Sequence, residues 1–331
     1  MKIIAEIGVN HNSNLNIAKK LIKECALAKA DFVKFQMFSA DATCTKWSKK
    51  ANYQTRNLNT NISQYEMLKK YELNYNKLEK LKHYSNLHKI NFLVSVFDIY
   101  SFKLFLKLKL KIIKIPSGEI TNFPLLEEIS KHDLRVIIST GMAKIDEINS
   151  AIKILLKKKI KKKNLIILHC NTNYPTPLNE VNLKFIEKLK KKYNTKIGYS
   201  DHTKGTIVPI ICASKEIDYL EKHVTFDKNS FGPDHKASIS TKELKLLIKE
   251  VKKIDVVLGK EKKIINKSEL ENLKYVRKSI VAKKFIRKGE LFSKRNITTK
   301  RPGYGLSAKY YSKILKKKSK YFFKIDDLIK I

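Results

Sequence analysis

Two hydrophobic rhythms alternate along the first two thirds of the chain. One is a short, near-continuous apolar run rich in β-branched residues. The other is an apolar stripe that recurs every three to four positions. Runs of the first kind lie at 3–7, 32–36, 92–96, 112–115, 136–139, 165–169, 196–199 and 219–223. Apolar at successive positions, they read as parallel strands covered on both faces. Between them, Ile17, Leu21, Ile22, Cys25 and Ala28 make one helical stripe, and Ile145, Ile148, Ile152 and Leu155 make another. After the last run, Ser240 and Glu243 have capping-box spacing ahead of Leu244, Leu247, Ile248, Val251, Ile254 and Leu258. Gly259 stands where a C-terminal cap belongs. Strand–helix units in this order predict an α/β fold, a (β/α)8 TIM barrel. An open doubly wound sheet shares the alternation, but no G-x-G-x-x-G follows the first strand.

The rhythm breaks twice. Between the second and third strands, Trp47 to Leu73 is a long polar insertion with helical signals only around Tyr65 to Lys70. It reads equally as a lid or as a surface excursion. After the barrel, predicted over 1–262, a polar linker covers 263–278, and 279–331 forms a small β-rich domain. In it, Ser279 to Lys283 and Ile297 to Lys300 read as strands, Arg287 to Glu290 as a turn, and a short helix begins near Lys309. This unit is too small for a second catalytic core.

Composition narrows the function classes. The formal net charge is +39, from 70 Lys and Arg against 31 Asp and Glu. The lysines are spread between the apolar positions of the predicted helices, with no basic arm and no interleaved aromatic residues for base stacking. Specific nucleic-acid binding is therefore not expected. No apolar run approaches the ~20 residues of a membrane span, and Met1-Lys2 leads directly into a strand pattern with no signal segment. Cys25, Cys44, Cys170 and Cys212 are widely separated. They predict free thiols and a cytoplasmic location.

Candidate chemistry gathers at the ends of the strand runs, where barrel active sites form. His202 and His223 each follow such a run. On adjacent parallel strands their imidazoles emerge side by side, as a divalent metal site with open positions needs. Spacing alone also allows two unrelated hydrogen-bonded histidines. Lys34 and Lys114 stand as lone cations in apolar strands, which is costly unless each meets an anion. With the hydroxyls near them they suggest a phosphate and carboxylate site.

The motifs A-E-I-G-V-N-H-N, V-K-F-Q, K-I-P-S-G-E-I-T-N, S-T-G-M-A, L-H-C-N-T-N-Y-P-T-P, G-Y-S-D-H-T, E-K-H-V-T-F-D-K and G-P-D-H-K-A-S occur in order along the barrel. Together they resemble the sialic acid synthase family. K-R-P-G-Y-G-L-S, at Lys300 to Ser307, resembles that family's C-terminal antifreeze-like (SAF) domain. The resemblance implies condensation of phosphoenolpyruvate with an N-acetylated amino sugar. N-acetylneuraminate synthase, using N-acetylmannosamine, is the leading expectation. The alternative is N,N'-diacetyllegionaminate synthase, using a 2,4-diacetamido-2,4,6-trideoxymannose. By the same resemblance, Lys34, Lys114, Ser117, Ser139, Thr172 and Ser200 hold phosphoenolpyruvate, and His202 and His223 hold manganese or magnesium. Glu6, Gln36, Tyr174 and Asp234 face the sugar, and Glu119 manages water or proton transfer. Arg301 reaches the sugar's N-acetyl group in a partner's site, within a domain-swapped homodimer. The chain departs from the family pattern at Val94-Ser95-Val96-Phe97-Asp98, which bears on loop geometry, and at Asn173, which bears on sugar choice.

Overall fold

The computed structural model describes the whole chain, Met1–Ile331, as two compact units, Met1–Gly259 and Lys260–Ile331. In the first, eight parallel strands close into a barrel: β1 (Lys2–Gly8), β2 (Phe32–Met37), β3 (Asn91–Val96), β4 (Ile112–Ile115), β5 (Arg135–Ser139), β6 (Leu165–Cys170), β7 (Lys196–Asp201) and β8 (Tyr219–Thr225). Each strand pairs with the next, and β8 pairs back onto β1. Helices follow the strands and cover the outside. The last, Thr241–Leu258, has the predicted Ser240–Glu243 capping box and ends at Gly259 with φ 63°. That positive φ is cheap for glycine and costly for other residues.

Side-chain alternation sorts each strand into an outer and an inner row. The outer row, for example Ile3, Ala5 and Ile7 of β1 or Val33, Phe35 and Met37 of β2, joins the large core beneath the helices. The inner row changes character along the barrel axis. Its lower positions, Ile4, Phe32, Leu93, Ile137, Ile166, Leu168 and Tyr219, form a separate apolar plug. One pleat repeat or so further on, the same row carries Glu6, Lys34, Ser95, Lys114, Ser139, Ser200, Glu221 and His223, all buried. Register brings these into contact across strands: Glu6 lies opposite both Lys34 and His223, Ser95 opposite Lys114, and Ser200 opposite Glu221. A dry apolar floor thus supports a polar upper layer at the C-terminal ends of the strands.

The insertion after β2 is more ordered than its polarity suggests. It contains two helices, Asn52–Leu58 and Gln64–Tyr71. Only the second carries the helical signal read from sequence. Leu58, Met67 and Tyr71 form a small core with Val9 and Phe38, against which Leu68 and Phe97 pack.

In the second unit a helix, Lys267–Val276, lies inside the stretch expected to be a plain linker. Strands Ser279–Ala282 and Ile297–Lys300 pair antiparallel over a core that includes Ile280, Phe292, Ile297 and Phe323. The short helix expected from about Lys309 is present, as a 3-10 turn, Ala308–Tyr310, that runs into an α-helical turn, Tyr311–Ile314. All four cysteines are free thiols, and no helix is long and apolar enough to cross a membrane.

Candidate active site

A cavity of about 490 Å³ opens above the polar layer, within the size range of small-molecule sites. Every predicted site residue carried by the barrel lines it: Glu6, Lys34, Gln36, Lys114, Ser117, Glu119, Ser139, Thr172, Tyr174, Ser200, His202, His223 and Asp234.

The two lysines are not lone cations, and this corrects the sequence reading. Lys34 Nζ lies 2.9 Å from Glu6 Oε2 and 3.5 Å from Glu221 Oε1, and donates to Ser95 Oγ at 2.8 Å. Lys114 Nζ lies 3.2 Å from Glu221 Oε1. Glu221 is therefore the hinge of a buried quartet, and it also accepts from Ser200 Oγ at 2.9 Å. Burial alone would raise its pKa. Lys114 and Lys34, helped by the Ser200 hydrogen bond, outweigh that and hold it at about 2. Burial also opposes charge on Lys34, but Glu221 and Glu6 outweigh it and raise its pKa. For Lys114 burial prevails and its pKa falls.

Glu221 and Ser95 were absent from the predicted set. Their signal was positional. Glu221 sits two residues before His223 on β8, and Ser95 sits opposite Lys114, so alternation and register point both inward. Asn173, by contrast, does not line the cavity. Its amide N–H and carbonyl serve the loop after β6, through Asn171 Oδ1 and Thr176 Oγ1.

The histidines meet as expected, with ring centroids 5.3 Å apart. Burial lowers both pKa values, that of His202 to about 3, so both rings are neutral near pH 7. His202 Nδ1 lies 2.5 Å from the Asn171 carbonyl, which can only accept, so Nδ1 carries the proton. Nε2 then presents its lone pair to the cavity, where the Tyr174 hydroxyl donates to it at 2.8 Å. His223 Nδ1 has no hydrogen-bond partner and lies 3.7 Å from Asp234 Oδ2. Two neutral, buried imidazoles, one oriented by a backbone carbonyl, form a donor set that fits a divalent metal. No group of three or more His, Cys, Asp or Glu side chains converges as a metal site.

Further groups complete the lining. Gly141 donates its N–H to Ser117 Oγ at 3.0 Å, and a Cβ there would stand 2.6 Å from Thr172 and 2.8 Å from Ser117 Oγ. A side chain at this position would push against the loops after both β4 and β6. Burial raises the pKa of Glu119, whose Oε2 accepts from Asn122 Nδ2 at 2.7 Å. Burial, then the proximity of Glu6, pushes Asp234 up to about 7. Glu221 Oε2, Ser139 Oγ and Tyr71 Oη are buried without hydrogen-bond partners. Orphaned polar atoms gathered around one cavity indicate a ligand that satisfies them.

Arg301 belongs to the second unit. It is exposed, its Nε donates to the Val276 carbonyl at 3.1 Å, and the peptide bond to Pro302 is cis. Gly303 donates to the Lys274 carbonyl at 2.6 Å, and a Cβ there would meet the Leu273 carbonyl at 2.4 Å. The turn that displays Arg301 thus requires glycine.

Comparison with known proteins gives this constellation a context. The chain is 46% identical over 328 residues to the N,N'-diacetyllegionaminic acid synthase of Campylobacter jejuni, covering 99% of this chain and 98% of that one. It is 39% identical over 315 residues to the Legionella pneumophila protein of the same name, covering 95% and 88%. Among solved structures, the N-acetylneuraminic acid (sialic acid) synthetase of Leptospira borgpetersenii superposes with a TM-score of 0.70 at 34% identity, covering 82% of this chain and 89% of that one. The model of the NeuB family matches residues 21–263, and that of the SAF domain matches 277–331. The chain belongs to the NeuB family of sialic, legionaminic and pseudaminic acid synthases, with a barrel followed by a SAF domain.

Proposed function

We propose that this chain is an N,N'-diacetyllegionaminate synthase, condensing phosphoenolpyruvate with 2,4-diacetamido-2,4,6-trideoxymannose. The observation that carries the choice is the 46% identity, across nearly the full length of both chains, to a protein named for that activity. The leading expectation from sequence, N-acetylmannosamine as substrate, yields to the alternative on that ground.

In this reading the polar upper layer takes the anionic substrate. Phosphate and carboxylate settle on Lys34 and Lys114, with hydroxyls from Ser117, Ser139, Thr172 and Ser200. In the free site Glu6 and Glu221 balance the lysines, so an incoming polyanion needs added positive charge. His202 and His223 would hold a divalent cation, and an imidazole pair favours manganese over magnesium, which prefers oxygen ligands. When bound there, such a cation would supply that charge and Lewis acidity toward the sugar's aldehyde. Gln36, Tyr174 and Asp234 orient the sugar, with Glu6.

Carbon three of phosphoenolpyruvate then forms the new bond to the aldehyde carbon, whose oxygen takes up a proton. Water adds at carbon two, the bond from carbon two to the bridging oxygen breaks, and phosphate leaves. Glu119, with its raised pKa, is suited to hold and pass the proton from that water. Lys34 and Lys114 stabilise the charge that develops. Arg301 of a partner chain would reach the sugar's acetyl group, in a homodimer that exchanges its SAF domains.

The test is phosphate release, with mass detection of the product acid, for each candidate sugar with phosphoenolpyruvate and manganese. The trideoxy sugar should give the larger kcat/KM. Turnover of neither sugar, or a larger kcat/KM for N-acetylmannosamine, would overturn the proposal.

A further inference from the structure

The insertion after β2 forms one wall of the cavity. In its second helix Gln64, Met67, Leu68 and Tyr71 all line the cavity. Their spacing, i, i+3, i+4 and i+7, is that of a single helix face. This face is held over the site in two ways. Met67 and Tyr71 are locked in the small core with Leu58 and Phe38. The first helix also reaches across: Asn57 Nδ2 donates to the Pro233 carbonyl at 2.6 Å, and Tyr53 stacks on Tyr174 at 4.8 Å. Tyr174 in turn stacks on His202 at 4.0 Å.

The face differs in chemistry from the polar layer at the strand ends. The strands contribute ions and hydroxyls, whereas Met67 and Leu68 contribute apolar surface. Tyr71 is 2% exposed, and its hydroxyl is buried with no hydrogen-bond partner. Leaving such a group unsatisfied costs about 1–3 kcal/mol, so its place on a cavity wall points to a ligand that bonds it. Burial pushes the Tyr71 phenol up to about 12, which keeps it a neutral hydroxyl that can donate. The reacting aldehyde must lie over the strand-borne groups. The far end of the sugar is therefore the part left for the helical wall.

We infer that Met67, Leu68 and Tyr71 select the sugar by its remote end, with a methyl group packed on the two apolar side chains and an acetamido group bonded by the Tyr71 hydroxyl. This rests on the proposed function and adds its specificity residues. The trideoxy sugar has a methyl at carbon six and an acetamido at carbon four, where N-acetylmannosamine has hydroxyl groups. An apolar wall rejects an added hydroxyl only modestly, by up to about a hundredfold.

The test compares kcat/KM for the two sugars in the wild-type protein and in Leu68→Gln and Tyr71→Phe. The wild type should favour the trideoxy sugar about 10- to 100-fold. Leu68→Gln should cut that ratio about tenfold. Tyr71→Phe should lower kcat/KM for the trideoxy sugar about 3- to 10-fold, the worth of one hydrogen bond, with a smaller effect on N-acetylmannosamine. The phosphoenolpyruvate KM should hold in both variants. If both sugars fall in parallel and the ratio persists, the wall is structural and the inference is overturned. A wild-type preference for N-acetylmannosamine also overturns it. If the wild type releases phosphate with neither sugar, the functional reading itself has failed.

Discussion

At the scale of single residues, the determining feature is Glu221. One carboxylate oxygen faces Lys34, Lys114 and Ser200 together. Removing it leaves two buried cations with only Glu6 nearby. Glu221→Gln should therefore destabilise the fold by about 3 kcal/mol, seen as a lower Tm, and phosphoenolpyruvate should restore part of the loss by satisfying the lysines. An unchanged Tm would remove Glu221 from this role. The pH dependence has a defined sign. The folded-state pKa of Glu221 is about 2, against a usual 4.5. Its contribution is thus fully present above about pH 4.5 and is lost as pH falls towards 2. Glu119 acts in the opposite sense. Its raised pKa makes the folded state bind the proton more tightly than the unfolded chain, so stability falls as pH rises from the usual glutamate value through the raised one. Glu119→Gln removes that slope. Its Tm gain should be larger at pH 8 than at pH 4, while kcat drops by about 10²- to 10⁴-fold. An equal Tm change at both pH values would contradict the assignment. None of this charge balance was legible in the sequence as Lys34 and Lys114 stood there, because their partners lie on other strands.

At the scale of elements, the strands were legible and their two faces were only half so. Apolar runs located all eight, but a run apolar at successive positions does not announce where its inner row turns polar. The helix Asn52–Leu58 was missed because only Leu58 of it is buried and the segment is otherwise polar. On the outer faces of β7 and β8, Asp201 and Lys222 form an ion pair of 2.6 Å with 0% side-chain exposure on either partner. Each directly precedes a candidate metal ligand. Asp201 Oδ1 also accepts from the Thr203 amide and hydroxyl, and Lys222 donates to the Thr203 carbonyl. This knot fixes the ends of the two strands that present His202 and His223. Lys222→Met alone strands a buried carboxylate and should cost about 3–5 kcal/mol. Lys222→Met combined with Asp201→Asn should cost clearly less, as chemical denaturation would show. Equal losses in the single and double variants would mean that the charges are not coupled.

At the scale of the whole molecule, order of motifs and pattern of strands together gave the family and both units. The sugar was not legible, because barrel motifs serve chemistry common to several sugars and the insertion that walls the cavity reads as ordinary polar sequence. Arg301 is where the two units are proposed to cooperate. Arg301→Ala should raise the sugar KM and lower kcat with little effect on phosphoenolpyruvate binding. Mixing it with inactive His202→Ala protein should restore part of the activity once subunits exchange. Exchange without recovery would confine the arginine to its own chain. The central claim, that the barrel joins phosphoenolpyruvate to an amino sugar with carbon–oxygen cleavage, is tested most directly in heavy-oxygen water. With phosphoenolpyruvate, manganese and 2,4-diacetamido-2,4,6-trideoxymannose, the released phosphate should be unlabelled and a nine-carbon acid should form in equal amount. Labelled phosphate, or phosphate without the acid, would contradict it.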